Sequence, residues 1–268
     1  MADVAVSSFE GDLLYAVEDG IARVTFNRPQ ARNAMLFEMY ERLAAICAEI
    51  DADPGIRVLI VTGAGEKAFA AGTDISQFRA FKEPQDALDY EARIDRVLGA
   101  LEGVRVPTIA AIAGACTGGG AGMAACCDLR IGAANLRFGF PVARTLGNCL
   151  SMNNYARLYA LLGPARVKEM VFTARLIEAP EALAVGLVSE VLPDVAALQA
   201  RATELAHLVA GYAPLTLRAT KEAMRRIRDR ATAGGEDHDL ILSCYMSADF
   251  REGMDAFLTK RKPEWSGR

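Results

Sequence analysis

Hydrophobic positions along the chain change period several times, and each change marks an element. In "LLYAVEDGIARVTFNRP" Ala22, Val24 and Phe26 alternate with Arg23 and Thr25, and Asp19-Gly20 supplies turn chemistry, so a β-hairpin is predicted. Leu36, Met39, Tyr40, Leu43, Cys47 and Ile50 then recur at helical spacing, with Asn33 read as the N-cap. "IRVLIVTG" and "PTIAAIAG" are continuous apolar runs ending in glycine, the pattern of strands buried on both faces. Between them lie a loop, "AGEKAFAAGTDI", and a helix with Leu88, Ile94, Val97, Leu98 and Leu101 on one face. "CDLRIGAANLRFGFP" predicts a further pair of short strands before a helix that starts near Ser151.

From Pro164, a first-turn proline, the periods are helical only, through "APEALAVGL" and long segments to Lys262. The fold class is therefore α/β, with a core over residues 1–195, a helical region over 196–268, and strand-strand-helix units recurring loosely. A chain of 268 residues, 52% hydrophobic, can bury a large core. Its net charge of −4 and lack of a five-residue run of like charge argue against a nucleic-acid partner. The N-terminus carries Asp3, Glu10 and Asp12 in place of a basic then apolar leader, and charges interrupt every apolar segment, so a soluble cytoplasmic protein is expected.

Six cysteines without CxxC spacing are expected to be small core residues, with Cys149 kept open as an exception. His207 and His238 are the only histidines, which leaves a zinc site or a Ser-His-Asp triad poorly supported. No metal or redox cofactor is expected. Chemistry must then rest on backbone groups, carboxylates, hydroxyls, amides or a thiol.

A strand running into Gly118, Gly119 and Gly120 leaves bare N–H groups at a helix start, backed by the positive end of the helix dipole. Tight strand-to-helix packing explains a lone glycine triplet equally well. Neither the Lys-Ser/Thr of a P-loop nor the dinucleotide spacing follows it. The loop "FAAGTDI" adds a second glycine after a buried strand, and paired backbone donors suit an oxygen that gains charge during a reaction.

"NRPQARNAM", "KAFAAGTDI", "AAIAGACTGGGAG", "CDLRIGAANLRFGFP" and "FLTKRKPEW", in that order and over nearly the whole chain, resemble the crotonase superfamily, also called the enoyl-CoA hydratase/isomerase family. The resemblance implies a spiral of strand-strand-helix units and C-terminal helices that build a homotrimer, often paired into a hexamer. It implies an acyl-coenzyme A thioester as ligand, coenzyme A being part of the substrate, with its carbonyl accepting from the N–H groups of Thr73 and Gly119. Gly72, Asp74, Ile75 and Gly118 belong to the same turns, Asp74 and Asp128 being expected to cap them. By the same resemblance Arg28 and Arg32 meet the phosphates, Ala34, Ala70 and Ala71 line the adenine and pantetheine path, and Phe257 and Lys260 complete the site. Each of these cations, read alone, is equally a solvated surface charge.

Hydratases of the family carry one glutamate two residues after the glycine triplet and another after the proline of "FGxPE"; here those positions are Gly122 and Val142. Neither moves a proton, so water addition by paired carboxylates is doubtful. The replacement candidates are Arg144, Asn148, Cys149 and Ser151 in "PVARTLGNCLS", and Asp86, Asp89, Tyr90 and Glu91, which either reach over the substrate or form a solvated helix face. An enzyme with a non-standard acid-base group and a catalytically silent acyl-coenzyme A binding protein both remain open.

Overall fold

The computed structural model describes residues 11–231 and 237–268, so Asp3 and Glu10 lie outside the described residues. Asp19 and Gly20 take φ of 49° and 76°, as a primed two-residue turn requires, and join β1 (Leu13–Glu18) to β2 (Ile21–Phe26). Helix α1 spans Phe37–Ala52 with Leu36 at its N-cap.

Asn33 is therefore not the cap that its position suggests. It is fully buried at φ 54°, accepts from the Arg28 amide (2.9 Å), and donates to the carbonyls of Ala64 (3.0 Å) and Ala68 (2.7 Å). A side-chain amide that satisfies three backbone groups in a turn competes well with helix initiation. Its effect is to clamp the "NRPQARN" turn onto the strand that carries the first glycine loop.

Three units follow: β3 (Val58–Gly63), β4 (Ala68–Ala70) and α2 (Pro84–Gly103); β5 (Thr108–Ile112), β6 (Ala115–Thr117) and α3 (Gly119–Cys126); β7 (Leu129–Ala133), β8 (Arg137–Gly139), α4 (Val142–Thr145) and α5 (Met152–Thr173). The first strand of each unit enters one sheet and the second strand enters another. With β9 (Ile177–Glu178), α6 (Ala179–Ala184) and β10 (Val191–Leu192), the sheets run β1-β2-β3-β5-β7-β10 and β4-β6-β8-β9. Within α5, Gly163 at φ 73° and ψ 159° breaks the helix, and Pro164 starts its second half.

Among the described residues, four helices follow: α7 (Val195–Ala210), α8 (Pro214–Ala231), α9 (His238–Tyr245) and α10 (Ala248–Thr259). Strands β3 and β5 are buried along their whole length because both faces are covered. Leu59, Val61, Ala110 and Ile112 face the main core, whereas Val58, Ile60, Ile109 and Ala111 meet Leu198, Ala202, Ala206 and Val209 of α7. Helix α7, at the start of the region 196–268 read as helical, thus seals one face of the large sheet. No helix among the described residues is long and apolar enough to cross a membrane.

Candidate active site

The two glycine turns meet at a cavity of about 510 Å³. Segment 71–74 is strapped to segment 32–35 by bonds from Ala71 N to Arg32 O (3.1 Å), Met35 N to Gly72 O (2.8 Å) and Asp74 N to Met35 O (2.8 Å). This parallel bridge uses the amides on either side of Thr73 and turns the Thr73 N–H away from it. Gly119 opens α3, where an N–H has no partner inside the helix. Among the described residues neither amide has a backbone partner, and both residues line the cavity.

Glycine is needed here for two separate reasons. Gly72 (φ 97°) and Gly118 (φ 54°) hold conformations that L side chains rarely adopt. Gly119 instead needs space: a Cβ there would lie 2.1 Å from Tyr40 Oη. The turns touch, since a Cβ on Gly72 would lie 3.6 Å from the Gly119 nitrogen. Thr73 Oγ1 is hydrogen-bonded to both Tyr40 Oη (3.0 Å) and Tyr90 Oη (2.8 Å), two buried phenols that fix the first turn from behind. Burial pushes Tyr40 up to about 12, so it stays a neutral hydroxyl. Tyr40 reads in the sequence as one more core position, and only its closeness to Gly119 reveals its task.

Arg32, Ala34, Ala71, Gly72, Thr73, Asp74, Ile75, Glu91, Gly118, Gly119, Val142, Asn148, Cys149 and Phe257 all line this cavity. Arg28, Ala70 and Lys260 do not. Arg28 is a strut, donating to the Ala34 carbonyl (2.6 Å) and pairing with Asp74 (3.2 Å) and Asp12 (3.4 Å). Ala70 is fully buried in β4, and Lys260 caps the exposed end of α10. Arg32, by contrast, is exposed at the rim and, among the described residues, has no carboxylate partner. Asp128 accepts from the Thr108 amide (2.8 Å), the Thr108 hydroxyl (2.9 Å) and Lys221 Nζ (2.8 Å), as a structural acid would.

Among the described residues, the acids on the cavity wall are Asp74 and Glu91. Burial would raise Asp74, but hydrogen bonds from Ser76 and Arg28 outweigh it and hold the carboxylate below its ordinary range. Glu91 differs. It is 6% exposed on α2, and burial lifts it to about 7 despite a hydrogen bond from Tyr245, with Asp95 and Asp237 adding to the rise. The low-dielectric setting is aromatic: Phe78 packs on Tyr90 (4.9 Å between ring centres) and Phe250 on Tyr245 (4.8 Å). Tyr245 Oη donates to Glu91 Oε1 (2.5 Å) and accepts from Asn148 Nδ2 (3.1 Å).

Glu91 is thus not part of the solvated face of α2; that face belongs to Asp86, which accepts from the Lys82 and Glu83 amides at the helix start, and to Asp89, which accepts from Gln85. Asn148 donates to Tyr245, and its amide offers no nucleophile. Cys149 donates to the Leu240 carbonyl (3.5 Å), and its interaction with Cys244, then burial, push its thiol up, so its reading as a thiolate is not supported. Ser151 caps α5 and donates to Asp95 (2.8 Å), and Arg144 is exposed. A Cβ on Gly122 would face Leu98 Cδ1 (3.3 Å) and Asn154 Oδ1 (3.6 Å), while Val142 is buried at the wall, so no carboxylate stands at either position.

Comparison with known proteins bears on this geometry. A family model described as enoyl-CoA hydratase/isomerase matches residues 16–268. The chain is 35% identical to the short-chain-enoyl-CoA hydratase of Clostridium acetobutylicum over 249 residues, 92% of this chain and 94% of the relative. It is 34% identical to the crotonyl-CoA hydratase of Syntrophomonas wolfei over 257 residues, 94% and 96% of the two chains. Among solved structures, a methylmalonyl-CoA decarboxylase in complex with 2-nitronate-propionyl-CoA superposes with a TM-score of 0.86 at 29% identity, covering 96% and 98% of the chains. An enoyl-CoA hydratase/carnithine racemase from Magnetospirillum magneticum gives 0.78 at 34% identity over 96% of each chain.

Proposed function

Because the chain belongs to the enoyl-CoA hydratase/isomerase family of acyl-CoA-processing enzymes, we propose that it moves a proton on an acyl-CoA thioester with one carboxylate, Glu91, where hydratases of the family use two. The thioester carbonyl accepts from the Thr73 and Gly119 amides, which stabilise the enolate oxygen as charge develops on it. Glu91 takes a proton from the α carbon, the electron pair moves into the enolate, and the proton returns at the γ carbon as the double bond shifts. No water is consumed. The coenzyme A phosphates lie toward Arg32, and Phe257 closes the acyl path.

One observation carries this reading: among the described residues the acids on the wall are Asp74, held ionised by Arg28 and Ser76, and Glu91, which of the two is the one able to gain and lose a proton near neutrality. The Tyr245 hydrogen bond occupies Oε1 and leaves Oε2 as the proton-carrying atom. Supply of β,γ-enoyl-CoA and, separately, α,β-enoyl-CoA tests it. Wild-type protein is expected to isomerise the first, with Glu91→Gln slower by about 10²–10⁴-fold at unchanged thioester affinity. Hydration of the second, undiminished in Glu91→Gln, would contradict the assignment. Tight binding with no turnover of either would favour a silent binding protein.

A further inference from the structure

Four of the six cysteines are buried core residues, as expected, but Cys149 and Cys244 are half-buried. They come from separate parts of the chain, Cys149 in the segment before α5 and Cys244 near the end of α9. Cys149 Sγ lies 3.5 Å from the carbonyl of Leu240, the residue one turn before Cys244 on that helix. Their chain neighbours Asn148 and Tyr245 are themselves joined (3.1 Å), so the contact is held from both sides. The mechanism proposed above uses neither sulfur.

We propose that Cys149 and Cys244 form a reversible redox site on the cavity wall that a hydroperoxide oxidises to a disulfide. The Cys244 sulfur attacks one oxygen of hydrogen peroxide, the O–O bond breaks, hydroxide leaves and Cys244 becomes a sulfenic acid. The Cys149 sulfur then displaces that hydroxyl, its proton leaves in the water formed, and the S–S bond closes. Two thiols lose two electrons and peroxide is reduced to two waters. Cys244 reacts first because its interaction with Cys149, helped by Ser243, lowers its thiol below the ordinary range against the opposing effect of burial, while Cys149 moves the other way. The resulting bridge ties the segment at Asn148 to α9 across the Tyr245–Glu91 contact.

This site stands whatever reaction the cavity performs, so its test needs no substrate. The folded full chain is exposed to hydrogen peroxide, and intact mass and peptide mapping are read before and after dithiothreitol. The expected product has lost two hydrogens, yields one peptide pair linking Cys149 to Cys244, and is restored by dithiothreitol. In Cys149→Ser, Cys244 is expected to stop at the sulfenic acid and to be trapped by dimedone; in Cys244→Ser, Cys149 is expected to stay unlabelled. A wild-type product that only gains oxygen, a bridge between other cysteines, or equal dimedone labelling of the two variants would overturn the proposal.

Discussion

Glu91 sits among apolar neighbours, and its burial has a consequence for stability as well as for chemistry. Its ordinary value lies near 4.5 and rises to about 7 in the fold, so between those values the unfolded chain has lost the proton that the native chain keeps. Stability therefore falls as pH rises through that window and levels above it. Denaturant titrations across the window are expected to show the decline in wild type and a flatter profile in Glu91→Gln. As a base, the same group predicts that kcat/KM for a β,γ-enoyl-CoA climbs with pH to a plateau above about 7. A fall with pH would assign Glu91 the role of acid.

Gly119 makes a second prediction at this scale. Alanine at that position fits the backbone but drives a Cβ to 2.1 Å from Tyr40 Oη; without that hydroxyl the nearest atom of the ring is 3.4 Å away. Gly119→Ala is expected to unfold at lower denaturant than wild type despite the better helix propensity of alanine, and Tyr40→Phe/Gly119→Ala to recover most of the loss. Gly120→Ala, whose Cβ would meet the Ala70 carbonyl at 2.1 Å, has no such rescue. No recovery in the double variant would mean that Tyr40 is not what excludes a side chain from the turn.

At the scale of elements, α2 explains both what the sequence makes legible and what it hides. Its buried residues are Ala87, Tyr90, Glu91, Ile94, Val97, Leu98 and Leu101, a helical stripe in which Glu91 fills an apolar place. A carboxylate on the stripe is the signal that distinguishes it from Asp86 and Asp89, and the register of the stripe is readable from the chain alone. The hairpin, the buried strands and the glycine turns are legible for the same reason: their patterns are local. The Tyr40–Thr73–Tyr90 contacts and the Asn148–Tyr245–Glu91 chain are not, because each joins residues far apart in sequence through distances that only packing fixes. Asn33 misleads because its amide serves a turn where a helix start is expected.

The tie between α8 and the large sheet belongs to this scale too. Asp128 holds β5 through Thr108 and α8 through Lys221. Asp128→Ala is expected to cost about 1–3 kcal/mol, since it leaves buried donors without a partner. Lys221→Ala should cost less, because Asp128 keeps both Thr108 bonds. Urea midpoints at unchanged slope measure both, and the reverse order would contradict the description of Asp128 as the hub.

For the molecule as a whole, the strand-strand-helix units deliver one glycine turn each from neighbouring units, so the paired amides are a product of the repeat and not of either unit alone. Helix α8 has no buried residue and exposes Leu215 (77%), Met224 (58%) and Ile227 (59%). The homotrimer expected from the family resemblance would cover such a face. Light scattering should then give three copies, or six where trimers pair, and Leu215→Glu with Ile227→Glu should lower that number; a monomeric wild type would refute it.

The proposed reaction passes through a thioester enolate held over the Thr73 and Gly119 amides and protonated by Glu91. Its most direct test is washout of the α-protons of butyryl-CoA in deuterium oxide, followed by proton NMR with thioester affinity measured alongside. Wild type is expected to exchange them, and Glu91→Gln to bind equally well with exchange slower by about 10²-fold or more. Equal exchange in the two proteins, or firm binding by wild type with no exchange, would contradict it.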